Sequence, residues 1–324
     1  MMMENRIQSL DLVKIVAMLM VLMLHVNVFK YWSGTDVSGV FYAMAGIAIP
    51  LFFMVSGYLM ADKTVNWKYV GKKIWGIIRF TLVISLIVYC FTFLMYGNAK
   101  FPFPQCFIQR DDLAVFWYFG AMILLYVSLP VLQIIINNQR YLFRTLISLV
   151  VIGQIMFVMN HWGFESNYLW QPFRLHYWYM YFLLGAYIRR TPDCVSKIRL
   201  WWIIPAVCLY CVFCQMAFVS TGIEYYFGSF PCIAYAFITF GALVRLPIRD
   251  NKLVDKLSST FLPVYAFHWM FLQKCFHHNP FYSINCNLHF LYATAIDYII
   301  TTAVMLVFGV MIMHIPYVNR IFRL

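Results

Sequence analysis

Two residues on one helical face carry the first chemical signal in this sequence. Lys14 and His25 lie eleven positions apart. At about 100° per residue that is three turns plus about 20°, and at about 1.5 Å of rise per residue it is about 16 Å. One helix face therefore bears a cation and, about three turns further on, an imidazole that binds and releases a proton near neutral pH. Asp11 stands three residues before Lys14, within reach of an ion pair. A second histidine, His268, and a carboxylate, Asp297, fall inside other long apolar runs. An ionisable group at membrane depth costs at least about 2–3 kcal/mol and therefore faces a cavity or a partner. Each also has a plainer reading. Lys14 can be a snorkelling anchor, and either imidazole a satisfied polar group between packed helices. Asp297 either orients an imidazole or is paired structurally.

The elements that hold these residues follow from composition. Of the 324 residues, 63% are hydrophobic and 11% charged, against about 45–50% apolar and about 25% charged in soluble domains. There are too few charges to coat a globule of this size. A soluble enzyme, a disordered chain and a collagen-like fibre are excluded, leaving a polytopic membrane protein. Helix about 20 residues long spans a bilayer core. Ten apolar runs meet that need, over 11–29, 40–61, 74–96, 115–136, 142–159, 175–189, 200–219, 227–245, 258–276 and 288–314. The sixth is short enough to be tilted, interfacial or broken. The first is too long for a cleaved signal peptide, and no small-residue cleavage site follows it. The expected fold class is all-α, with about ten transmembrane helices and both termini cytoplasmic. A single membrane-embedded domain covers 1–324, with no separate soluble domain.

Charge placement sets the orientation. With a cytoplasmic N-terminus, nineteen Lys and Arg residues fall on the cytoplasmic side and five on the other, as the positive-inside rule requires. That bias accounts for the net charge of +12 without a nucleic-acid partner. His25 then lies late in the first span, His268 near the middle of the ninth and Asp297 in the outer half of the tenth. His277 and His278 lie at a span end and read as interfacial, while His161, His176, His289 and His314 give no patterned signal. No metal-ligand spacing occurs among the histidines, and Cys208-x2-Cys211-x2-Cys214 sits in an apolar run with no polar loop to fold around a cluster. Ser56-Gly57 ends the second run with two small residues that let backbones approach closely. The basic stretch that follows holds Lys63, Lys68, Lys72, Lys73 and Arg79. It either anchors the chain on anionic lipid or holds the phosphates of a cytoplasmic ligand. Outward-facing aromatics such as Trp162 and Trp170 suit sugar stacking as well as an interfacial belt, and the belt is the preferred reading.

Five motifs in order resemble the membrane-bound acyltransferase family 3. They are Ser9-Leu10-Asp11-Leu12-Val13-Lys14 running to Leu24-His25, similar to a basic-x10-His signature; Phe52-Phe53-Met54-Val55-Ser56-Gly57-Tyr58-Leu59; Phe116-Trp117-Tyr118-Phe119 followed by Leu124-Leu125-Tyr126 and Pro130; Tyr181-Phe182-Leu183-Leu184-Gly185-Ala186; and Tyr265-Ala266-Phe267-His268. The likeness is to small stand-alone O-acetyltransferases, which lack an appended hydrolase-type domain. Lys14 stands where the family most often has Arg, keeping the charge but losing the planar fork.

The resemblance implies transfer of an acetyl or other short acyl group from cytoplasmic acyl-CoA, with acetyl-CoA as donor substrate and no metal. The acceptor is a hydroxyl of a cell-surface or lipid-linked polysaccharide, at a bacterial inner membrane. It places His25 as general base or transient acyl carrier, with His268 and Asp297 as further catalytic candidates. Lys14, Lys68, Lys72, Lys73, Arg79 and Ser56 are the candidates for donor binding. Ser56, Tyr58 and Tyr265 are candidate oxyanion donors, and Glu165 is a second candidate acid. Membrane lipid and a second copy of the chain are further candidate partners. A proton-coupled transporter or flippase for a glycan precursor is the alternative, since buried His and Asp also serve carriers.

Overall fold

The computed structural model describes the backbone of residues 7–28, 37–160, 162–164, 168–216, 226–272 and 287–322. Helix α1 (Gln8–Val28) is the hub. It touches α2 (Val37–Met44) and α3 (Ala48–Met60), and later in the chain α9 (Phe230–Val244), α10 (Lys252–Ser259), α11 (Phe261–Phe271) and α12 (Asn287–His314). Around this centre stand α4 (Trp67–Tyr96), α5 (Trp117–Asn137), α6 (Gln139–Asn160), α7 (Leu175–Arg190) and α8 (Ile203–Met216), and a short α13 (Val318–Ile321) follows α12. No strand occurs among the described residues. Each of the ten apolar runs carries helix. Among the described residues six stretches are long and apolar enough to cross a membrane: Gln8–Val26, Val40–Met60, Trp67–Tyr96, Ala114–Asn137, Gln139–Asn160 and Ala295–His314. Leu200–Met216 and Phe230–Val244 are shorter apolar helices.

Two runs carry a local interruption of the α-helix, although Val40–Met60 still counts as one candidate span, and proline explains both. The 40–61 run is α2, a 3-10 turn at Ala45–Ile47, and α3. Pro50 has no N–H to give the Gly46 carbonyl, so the ladder tightens one turn earlier. The 258–276 run is divided at Thr260 between α10 and α11, and Pro263 likewise leaves the Ser259 carbonyl without its helical donor. The sixth run, expected to be tilted, interfacial or broken, is the continuous 16-residue α7.

The outer face is apolar. Leu82, Leu86, Phe93 and Leu94 on α4, Ile147, Val151 and Ile155 on α6, and Ile299, Val307 and Met311 on α12 are all exposed. A soluble protein would not leave such flanks bare. Inside, α3 and α7 make the closest helix pair, meeting at the glycines Gly57 and Gly185.

Candidate active site

The N-terminal end of α1 is tied to α10 by polar side chains. The Gln8 Nε2 donates to Asp255 Oδ1 at 3.0 Å, and the Asn251 backbone N–H donates to Gln8 Oε1 at 2.8 Å. Asn251 also caps α10, its Oδ1 accepting from the Leu253 N–H at 2.9 Å. One turn further on, the buried Asp11 accepts from Ser258 Oγ at 2.8 Å and pairs with Lys14 Nζ at 3.0 Å. The pair expected from i,i+3 spacing is therefore present, and Asp11 serves two helices at once.

These ties set a parallel register between α1 and α10–α11. Asp11 meets Ser258, Met18 meets Thr260, and His25 meets His268 and Trp269. From Met18 to His25 the rise is about 10 Å, and from Thr260 to His268 about 12 Å, so α1 and α11 stay in step over this stretch, beyond the division at Thr260. The imidazoles of His25 and His268 are 4.9 Å apart between centroids and inclined by 41°. The Trp269 indole closes on His25 edge-on, with centroids 5.0 Å apart.

The tautomer of His268 follows from its neighbours. Its Nδ1 lies 2.8 Å from the Tyr265 carbonyl and 3.1 Å from that of Val264. Both oxygens only accept, so Nδ1 carries the proton and Nε2 bears a lone pair in the neutral ring. That Nε2 is buried and makes no hydrogen bond among the described residues; the same holds for Nδ1 of His25. Two unsatisfied imidazole nitrogens thus sit on neighbouring rings inside the helix bundle. Buried polar atoms are normally satisfied, and exceptions mark sites of chemistry or ligand contact.

Tyr265 fixes the helix that presents His268. Its ring packs among Phe116, Tyr118, Phe119 and Phe261, with centroids between 5.4 and 6.0 Å away. Its hydroxyl donates to the Val115 carbonyl. As an oxyanion donor Tyr265 is thus already engaged. Ser56 is too, giving its proton to the Phe52 carbonyl at 3.0 Å. Tyr58 lies under the Arg189 guanidinium at 5.2 Å.

Lys14 opens onto two adjoining cavities. One, of about 530 Å³, is lined by Lys14, Ser56, Tyr118 and Phe261. The other, of about 640 Å³, is lined by Lys14, Lys63 and Arg189 together with Asp11 and Asp62. A third, of about 210 Å³, shares Ser56, Tyr118 and Phe261 with the first and adds Lys73. Of the donor-binding candidates, Lys14, Ser56 and Lys73 therefore converge. Lys68, Lys72 and Arg79 are exposed and line none of the three. Neither histidine lines these cavities. From their Tyr118 wall, contacts between rings lead through Tyr265 to His268 and on to His25, each step between 4.9 and 5.9 Å. Asp297 is buried in α12, one residue before Tyr298, whose hydroxyl donates to the Leu19 carbonyl of α1. Glu165, His161, His277 and His278 lie outside the described residues.

Sequence reasoning missed three contributors. Trp269 was signalled only by its place beside His268. Arg189 had been read as topological charge, yet it holds Asp62 at 2.5 Å at the cavity rim. Ser258, a serine before an apolar run, gave no signal of its tie to Asp11. Among the described residues no group of three or more His, Cys, Asp or Glu is arranged to hold a metal ion.

The sequence profile of acyltransferase family 3, described as an acyltransferase domain, matches residues 7–314. The chain belongs to this family. It is an acyltransferase acting on groups other than aminoacyl groups, and a multi-pass membrane protein. Comparison with curated proteins and with solved structures gave no significant match. The carrier alternative gives way on family membership. The five motifs that suggested the family lie within the matched span and supply α1, α3, α5, α7 and α11.

Proposed function

We propose that this acyltransferase moves an acetyl or other short acyl group from cytoplasmic acyl-CoA to a hydroxyl of a cell-surface or lipid-linked polysaccharide at a bacterial inner membrane. The observation that carries the proposal is the packing of His25 against His268, two turns above Met18 and Thr260 in a register anchored at Lys14 and Asp11. Ten spans with cytoplasmic termini are part of the same reading, supported by the nineteen-to-five partition of Lys and Arg.

A sugar hydroxyl is a weak nucleophile at neutral pH, so a base must remove its proton. In this proposal the two neighbouring imidazoles, each with an unsatisfied nitrogen, turn toward one another in the reacting complex, so that the Nδ1–H of His25 donates to the lone pair of His268 Nε2. His25 Nε2 is then the basic atom. It takes the hydroxyl proton as the oxygen attacks the thioester carbonyl. The carbon–sulfur bond breaks, and the thiolate of CoA leaves and recovers the proton from the imidazolium. Transient acylation of His25 would use that same nitrogen. His268 is a positioning residue in this scheme and never takes the transferred proton.

The donor phosphates would meet Lys14, Lys63 and Lys73. The three cavities supply cations in suitable number, although Asp11 and Asp62 offset part of the charge. The side wall of Tyr118 and Tyr265 lies between these cavities and the imidazoles, so the donor's thioester arm passes that wall to reach His25. Incubating membranes that hold the chain with labelled acetyl-CoA, followed by mass analysis of surface glycans, tests the reading. An acetyl group on glycan that disappears with His25→Ala supports it; unchanged glycan acetylation in that variant overturns it.

A further inference from the structure

A fourth cavity, of about 750 Å³, lies between the 196–202 segment and the end of α9, apart from the residues assigned above to catalysis and donor binding. Its wall carries Lys197, Arg199 and Arg245, all exposed, and no carboxylate among the described residues. Arg245 is fixed by its neighbours: its Nη1 donates to the Val195 carbonyl at 2.7 Å and to that of Ile198 at 3.0 Å. Those bonds hold the short turn that presents Lys197 and Arg199 on the same rim. The other rim is apolar and bare. Leu200, Trp201 and Trp202 are 47%, 58% and 41% exposed, and the two indoles stand 5.5 Å apart. Cations backed by exposed tryptophans at the end of membrane helices match the chemistry of a phospholipid headgroup region, with the indoles at the interface and the ammonium and guanidinium groups at phosphate level.

We infer that this cavity holds the phosphate headgroup of an anionic membrane phospholipid, its acyl chains lying along Leu200 and the two tryptophans. Three positive groups with no acidic neighbour in the lining are complementary to one such phosphate, which accepts from Lys and Arg donors together. The inference needs only that the chain spans a membrane and does not depend on the acyl donor.

The test uses the full chain purified into nanodiscs of phosphatidylcholine with a minor share of phosphatidylglycerol. Lipid retained after extraction into detergent is weighed by native mass spectrometry. The unaltered protein is expected to keep one phosphatidylglycerol in preference to phosphatidylcholine. A Lys197→Gln/Arg199→Gln variant should lose that preference, by up to about thirtyfold for two basic groups at an anionic surface. Soluble glycerol phosphate should not displace the lipid. Acyl-CoA KM should be unchanged. Absence of the preference in the unaltered protein, or its survival in the variant, overturns the inference. So does displacement by glycerol phosphate, which would make the site one for free phosphate esters. A raised acyl-CoA KM with lipid retention intact assigns the cations to the donor and also overturns it. If the double variant fails to fold, each single substitution is read the same way, with loss of about fivefold expected for each.

Discussion

Gly57 and Gly185 interlock the backbones of α3 and α7 from both sides. A methyl group on Gly57 would stand 1.7 Å from the Phe182 carbonyl oxygen, and one on Gly185 would stand 2.0 Å from that of Met54. In both places the obstacle is backbone, which cannot rotate away. Gly57→Ala and Gly185→Ala should each force the helices apart and lower the yield of folded protein several-fold, with a cost of about 1–3 kcal/mol or more. Gly71→Ala on α4 is the control, since nothing lies within 4 Å of its added methyl. It should match or slightly exceed the parent in thermal midpoint.

The paired imidazoles give an asymmetric prediction. His25→Ala should lower kcat by about 10²–10⁴-fold while leaving expression unchanged, as loss of a general base does. His268→Leu should lower kcat by about 10–100-fold through loss of one bond to an ionising group, with little change in acyl-CoA KM. His268→Gln keeps an acceptor without a base and should recover most of that loss. Equal inactivity of the Gln and Leu variants would make His268 a proton carrier instead.

The basic residues after α3 are expected to divide by position. Lys73 lines a cavity and Lys68, Lys72 and Arg79 do not. Lys73→Ala should raise acyl-CoA KM by about tenfold, the size of one charge-assisted contact. Single Ala variants at the other three should stay within about twofold, as exposed charges do. Steady-state kinetics on purified protein at fixed salt decides the matter.

Lys14 is tested by shape against charge. Lys14→Ala removes the cationic partner of Asp11, which keeps Ser258, and should raise acyl-CoA KM by about tenfold or more. Lys14→Arg restores the pair and should remain within about threefold of the parent. Equal damage from both substitutions would mean that the ammonium's compact geometry matters more than its charge.

Tyr265→Phe removes the hydroxyl that binds the Val115 carbonyl and leaves a buried acceptor unsatisfied, a loss of about 1–3 kcal/mol. The thermal midpoint should fall. Activity should fall further than folding alone accounts for, because that hydroxyl ties the turn carrying His268 to the Val115 carbonyl.

Much of this arrangement was legible because it repeats with helical period. Lys14, Asp11 and His25 could be placed on one face from their numbers alone, and the apolar runs marked where helix would form. Pro50 and Pro263 were equally visible, yet apolar length outweighed them, and the 3-10 step at Ala45–Ile47 and the division at Thr260 carried no signal of their own. The basic cluster divides for another reason. Lys68, Lys72 and Arg79 share a helix with Lys73, but only the rotation of α4 in the bundle decides which of them meets a cavity. The partnership of Asp11 with Ser258 spans 247 residues, and no local pattern reports it.

That separation bears on biogenesis. Since α1 packs not only on α2 and α3 but also on helices made some two hundred residues later, it lacks its full set of neighbours, and Asp11 its serine, until the ribosome has delivered α10 and α11. The contact between His25 and His268 is therefore completed late, so a nascent chain stalled before residue 268 holds most of its helices without the pairing of the two imidazoles.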